Sequence, residues 1–139
     1  MAENMSCTIV ALDRTIFSGE ATYVGLPRKI GGFGVMKGHE PLVSTLSSGV
    51  VSITTPDSGK ASVRVIISGG YAEISDNNVI VLADNASPIS EIDVAAVKAQ
   101  LAKVEESLKG IAEGDAGRAY YQQQKDWLEL QLKSVNAAE

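Results

Sequence analysis

The chain is poor in the side chains from which active sites are built. Its 139 residues include one cysteine, Cys7, and one histidine, His39. A single cysteine excludes a disulfide or a cysteine-based metal site within the chain. In the alternation Cys7, Ile9, Ala11 it reads as a small core hydrophobe, because a reactive thiol needs exposure and a lowered pKa. A single histidine leaves one group with a pKa naturally near neutrality and deprives a transition metal of its usual ligands. No serine sits in a nucleophile elbow, and no Gly-x-x-x-x-Gly-Lys-Ser/Thr phosphate loop occurs. Glu73 and Asp84 fall near strand ends with no evident acid–base partner. Neither enzyme activity nor a cofactor is expected from such an inventory. His39 reads as a turn residue whose ring bonds backbone or a neighbouring subunit, since acid–base catalysis needs a second placed group.

Positive charge and long apolar runs are also lacking. A net charge of −5 and a pI near 4.9 argue against a nucleic-acid partner. No apolar run approaches the ~20 residues of a membrane-spanning helix. Residues Met1 to Cys7 lack the basic flank and apolar core of a signal peptide. A cytoplasmic location is expected, with membrane contact only through another protein. With 45% apolar and 21% charged residues the chain can bury one good core, or one core and a small appendage.

What the chain does have is a cluster from Gly31 to Leu42 that holds four glycines, Pro41 and the sole histidine. Glycine at that density signals positive φ or close approach of backbone to another group. A short strand, Phe33 to Met36, is expected between two tight turns, the second presenting His39. That describes a compact docking corner rather than a catalytic cleft.

Two periodicities divide the chain near Pro88. Before it, short β-branched segments alternate with turn signals: Thr8–Asp13, Gly19–Leu26, Phe33–Met36, Pro41–Leu46, Val50–Thr54, Ser62–Ser68, Tyr71–Ile74 and Val79–Ala83. Pro56 to Gly59 and Ser75 to Asn78 read as turns. Gly69-Gly70 could form an anion-binding nest, but a sharp bend between strands accounts for it without a ligand. This pattern predicts a mainly β domain over residues 1–88, a β-sandwich or flattened barrel.

Residues 89–139 follow a helical period. Ser90 is the expected cap, with Glu91 and Asp93 in the first turn. Val97, Leu101, Val104, Leu108 and Ile111 form one apolar stripe, and the alanines at 95, 96, 99 and 102 add helix propensity. Gly110, Gly114 and Gly117 mark a turn. A second helix is expected from about Arg118 to Val135, with Tyr121, Leu128, Leu132 and Val135 on one face. A short loop between such helices implies an antiparallel hairpin. The charge is shared, −2 before residue 89 and −3 after it.

Five motifs in order resemble the epsilon subunit of bacterial and chloroplast F-type ATP synthase. They are Phe17-Ser18-Gly19-Glu20-Ala21, the run Gly34 to Leu42, the run Ile67 to Glu73, the run Val81 to Ala86, and Glu91-Ile92-Asp93. The resemblance covers residues 8 to about 93; the helical remainder matches in pattern more than in residues. It implies a ten-stranded β-sandwich followed by a helical hairpin. It further implies a subunit of the central rotor stalk with no catalytic centre of its own. Its partners would be the gamma subunit and the polar loops of the membrane c-ring. The implied location is peripheral, on the cytoplasmic face of the energy-transducing membrane (or at the thylakoid, for a chloroplast protein). The rotor-interface candidates are then Gly31, Gly32, Phe33, Lys37, Gly38, His39, Glu40, Pro41 and Leu42.

In many members the hairpin swings into the alpha/beta catalytic head and blocks ATP hydrolysis. Basic residues of the second helix often meet an acidic segment there, which nominates Arg118, Lys125 and Lys133. Asp126, Glu129 and Glu139 dilute that charge, and a mixed solvated face is the plainer reading. Members that bind ATP resemble Ile/Leu-Asp-x-x-Arg-Ala at the first helix. Ile92 and Asp93 match, but Ala96 stands at the arginine and Val97 at the alanine. Without that guanidinium, tight ATP binding is not expected. Arg118 alone reads as a surface charge. The competing class is a stand-alone β-sandwich binding module with a helical interaction hairpin.

Overall fold

A computed structural model of the protein describes residues 4–12, 14–57 and 61–138. The chain divides into two compact units, with the boundary between Ser90 and Glu91. The first contains eight strands among the described residues: β1 (Met5–Ala11), β2 (Arg14–Ala21), β3 (Tyr23–Leu26), β4 (Phe33–Val35), β5 (Leu42–Thr54), β6 (Ala61–Ser75), β7 (Asn78–Ala83) and β8 (Ala86–Pro88).

β5 and β6 organise the unit. They pair antiparallel along nearly their whole length, from Leu42 against Ile74 to Thr54 against Ala61. Their two halves have different outer neighbours. The half of β5 ending at Thr54 pairs β3, which pairs β4, while β8 pairs β6 at Val65 to Ile67. The other half of β6 pairs β7 at Gly70 to Ser75, and β7 runs parallel to β1, which pairs β2. Two five-stranded layers result, β4-β3-β5-β6-β8 and β2-β1-β7-β6-β5, with β5 and β6 counted in both. The ten strands of the expectation are thus eight described strands filling ten layer positions.

The sequence segments Pro41–Leu46 and Val50–Thr54 are one strand, as are Ser62–Ser68 and Tyr71–Ile74, because the ladder continues through the bend. Conversely, Gly19–Leu26 is two strands, broken at Thr22, whose amide donates to the Thr54 carbonyl at 2.8 Å. Strand β8 has no β-branched residue and escaped the periodicity.

Alternation puts one face of each strand inside. Met5, Cys7 and Ile9 of β1 meet Val79 and Val81 of β7, Ala72 and Ile74 of β6, and Val24, Val35, Val51, Ile53, Val65 and Ile67 of the other layer in one core. Each valine or isoleucine buried there contributes about 1.5–3 kcal/mol. The β6–β7 connection is the expected two-residue turn, with Asp76 at φ 49° and Asn77 at φ 59°, the left-handed pair a tight hairpin requires.

A 3-10 turn at Ile89–Glu91 spans the boundary, and the second unit contains helix α1 (Val94–Lys109) and helix α2 (Ala116–Ala138). Asp93, not Ser90, caps α1: its side chain accepts from the Ala96 amide at 3.1 Å. Ser90 and Glu91 lie in the 3-10 turn, so no acid occupies the first turn of α1. Helix α2 begins two residues before the expected Arg118, capped by Asp115, whose Oδ1 accepts from Gly117 N at 2.9 Å. Val97, Val104 and Leu108 of α1 pack with Leu128, flanked by Leu101, Tyr121 and Leu132. Ile111 lies beyond the end of α1.

Two consequences can be measured. Gly70 has φ 137°, and a Cβ there would collide with the Leu82 carbonyl oxygen; at Gly31, φ 114°, a Cβ meets nothing within 4 Å. Gly70→Ala should cost about 3 kcal/mol in urea unfolding, combining strained φ with backbone overlap, and Gly31→Ala about 1 kcal/mol.

Cys7 is wholly buried, and desolvation pushes its thiol from 9.0 up to about 12. Above pH 9 the unfolded thiol ionises while the native one stays protonated. Native stability therefore falls as pH rises between these values, by up to about 1.4 kcal/mol at pH 10, with no contribution at pH 7. Comparing the pH slopes of wild type and Cys7→Ala in urea isolates this loss; equal slopes would exclude it.

Candidate docking surface

The residues from Pro27 to Leu42 build two turns at the two ends of β4. In the first, Gly31 N donates to the Arg28 carbonyl at 3.1 Å, and Arg28 Nε–H returns to the Gly31 carbonyl at 3.3 Å. The Arg28 guanidinium lies over the Phe33 ring, 4.2 Å from its centroid. Ser47, at the bend of β5, donates its amide to the Pro27 carbonyl at 3.2 Å and so ties this turn to the long strand. Gly34 is needed for a close approach: the Tyr23 ring lies across β4 where a Cβ would stand.

The second turn closes with His39 N on the Met36 carbonyl at 3.1 Å, and Gly38 takes φ 89°. Gly38 N also donates to Asn77 Oδ1 at 2.8 Å, pinning this turn to the β6–β7 hairpin. His39 is half-buried, with Nδ1 2.7 Å from the Glu40 carbonyl oxygen. A carbonyl only accepts, so Nδ1 carries the proton and the ring is engaged with backbone. Lys37, Gly38, Glu40, Pro41 and Leu42 are exposed, as are Gly31 and Gly32, while Phe33 is half-buried. Large apolar groups accompany them in the open: Ile30 is 87% exposed, Met36 62% and Val43 68%. The nine candidates thus form two exposed turns joined by a three-residue strand.

The other singled-out residues have structural partners. At the Gly69-Gly70 bend, the Gly69 carbonyl accepts from Asp84 N at 3.0 Å and Ser68 N donates to Asn85 O at 3.0 Å. The bend is built by the chain's own backbone. Arg118 is half-buried and not a solvated charge: Nη1 donates to the Leu108 and Ile111 carbonyls at 3.2 and 3.1 Å. Those carbonyls lie at and just beyond the end of α1, where Leu108 O also accepts from Ile111 N at 3.3 Å. Lys125 is half-buried and Lys133 exposed on α2. Ile92 packs on the hairpin core, Asp93 caps α1, Ala96 is exposed and Val97 is buried in that core.

Sequence reasoning missed Arg28 and Tyr23, the two side chains that shape the first turn. The available signal was their placement: Arg28 follows Pro27, and Tyr23 precedes Gly25 on a strand edge. No three His, Cys, Asp or Glu side chains gather at a metal-binding spacing among the described residues. No described helix is long and apolar enough to cross a membrane.

Residues 4–89 match the model of the ATP synthase delta/epsilon chain beta-sandwich domain. The ATP synthase epsilon chain of Dichelobacter nodosus is 33% identical over 127 residues, covering 91% of this chain and 85% of that one. The epsilon chain of Rhodospirillum rubrum is 37% identical over 109 residues, 78% of this chain and 80% of its own. Among solved structures, a chain of the Euglena gracilis mitochondrial ATP synthase superposes with a TM-score of 0.74 at 23% identity, covering 97% of this chain and 83% of that one. A chain from the Tetrahymena thermophila mitochondrial ATP synthase gives 0.55 at 14% identity, covering 94% and 96%. These two share the fold, and the curated relatives share the sequence along most of its length. The chain belongs to the ATP synthase epsilon chain family.

Proposed function

We propose that the protein is a non-catalytic rotor subunit of an F-type ATP synthase. It links gamma to the c-ring, couples proton translocation to ATP synthesis, and lies peripherally on the cytoplasmic face of the membrane. The observation that carries this is the family match across the whole sandwich, residues 4–89, the part that holds both exposed turns. The structural relatives support the setting, since one was solved with its c-ring and the other as a central stalk with c-ring. The interface role falls to Gly31, Gly32, Phe33, Lys37, Gly38, His39, Glu40, Pro41 and Leu42. A corner of exposed apolar groups around a backbone-tied histidine suits a protein contact better than acid–base chemistry.

The hairpin serves as the regulatory part, reaching the alpha/beta catalytic head and inhibiting hydrolysis. Its own core and caps support this reading, because the pair of helices is held without help from propensity alone. Arg118 is committed to the α1 carbonyls, which leaves Lys125 and Lys133 as the cations for an acidic partner segment. ATP finds no guanidinium at Ala96, and Asp93 is occupied as a cap.

Three measurements test these statements. Tagged protein should co-purify with gamma at one-to-one stoichiometry, and purification without gamma would favour the stand-alone binding module. Truncation after Ser90 should raise ATP hydrolysis by the assembled enzyme, and an unchanged rate would remove the regulatory role. Calorimetric titration of the isolated chain with ATP should show no binding in the micromolar range.

A further inference from the structure

Arg28 is held ready for an anion. Its Nε–H is bonded to the Gly31 carbonyl, and its Cζ lies over the Phe33 ring. The Nη1 and Nη2 edge has no partner among the described residues. A guanidinium fixed from below and behind has lost most of its rotamer freedom before a ligand arrives, and the remaining edge matches a carboxylate bidentately.

The surroundings are chosen by charge. Two open grooves, about 520 and 450 Å³, adjoin one another and share Arg28 and Ser47 in their walls. Hydroxyls of Tyr23, Ser44 and Ser52 contribute to their lining, and no acidic side chain does. Residues 21–56 hold Arg28, Lys29 and Lys37 against one acid, Glu40, in a chain of net charge −5. Cations thus outnumber acids beside the two grooves of an acidic protein, with Arg64 paired opposite the groove-lining Ser52 and Glu73 opposite Val43, and complementarity favours a negative partner.

We propose that Arg28 receives an aspartate or glutamate carboxylate from an acidic loop of a partner protein, laid extended along the two grooves. Exposed Ile30 supplies apolar contact beside the ion pair. The inference rests on the rotor-subunit reading and names the chemistry of one contact in it. A protein loop fits better than a bilayer: recognition of anionic lipid uses clusters of about four to eight cations. Here two adjacent cations, Arg28 and Lys29, border hydroxyl- and glycine-lined furrows.

The test uses the full chain and an ATP synthase complex stripped of this subunit. Affinity of the wild type should fall with added sodium chloride. Arg28→Gln should bind about tenfold more weakly and with a flatter salt dependence. Arg28→Lys keeps the charge and loses the fork, so it should recover only part of the affinity. It also carries the test should Arg28→Gln fail to give a native amide spectrum. Wild-type binding with both variants unaffected overturns the pairing and leaves the rotor reading intact. A wild type that does not bind the stripped complex overturns both. Arg28-dependent binding to vesicles of phosphatidylcholine and phosphatidylglycerol, with no such dependence on the complex, overturns the protein carboxylate in favour of lipid.

Discussion

The sandwich depends on one bend pressed against one backbone. β5 and β6 are long enough to serve both layers, and they do so only because the chain turns sharply at Gly69-Gly70. At Gly70 the backbone approaches Leu82 so closely that no side chain fits between them. β7 leaves the hairpin, runs along the outer half of β6 and ends at this contact, with Asp84 N on Gly69 O. β8 then takes the free edge of the inner half of β6. Across the pair, Ser47 turns its amide away from the ladder to Pro27. The turn at Pro27–Gly32 is thereby fastened to the same bend that divides the layers.

The hairpin is organised by a different economy, in which charged side chains satisfy helix ends. Asp93 and Asp115 accept from the first free amides of α1 and α2. Arg118 reaches from α2 to the Leu108 carbonyl of α1 and the Ile111 carbonyl just past it, adding a side-chain tie to the backbone bonds of the turn, in which Gly114 and not Gly110 takes a left-handed φ. Such a cation also complements the negative end of the α1 dipole. Charge near a helix end is thus a poor guide to a binding role, because the fold has first claim on it.

Much of this was legible in the sequence. Period two up to Pro88 and period four-and-three after it separated sheet from helices, and the β6–β7 turn was readable from Asp76-Asn77. What periodicity could not show was continuity: a glycine pair inside a β-branched run looks the same whether the ladder stops or bends through it. Caps were misplaced by a few residues because Ser90 and Asp93 are both good acceptors, and only the 3-10 turn at Ile89–Glu91 decides between them. At the docking surface the glycines announced the turns, while Arg28 and Tyr23 acquired meaning from neighbours across strands. The groups over Phe33 and Gly34 are assembled by pairing, which no local window contains.

The glycine-rich corner therefore resolves into two turns with different chemistry. The turn at Pro27–Gly32 is anchored through Ser47 to β5, and its charged feature is the guanidinium over Phe33. The turn at Met36–His39 is anchored through Gly38 to the β6–β7 hairpin, with the His39 ring on the Glu40 carbonyl and the Lys37 side chain exposed. β4 joins them rigidly but gives neither turn a share in the other's hydrogen bonds. A partner gripping both would meet a guanidinium over an aromatic ring at one end, and Met36 and Lys37 beside a backbone-tied histidine at the other. If the first turn receives a carboxylate as proposed, orientation would be set by the planar fork of Arg28, which a point charge such as Lys37 at the other turn does not reproduce.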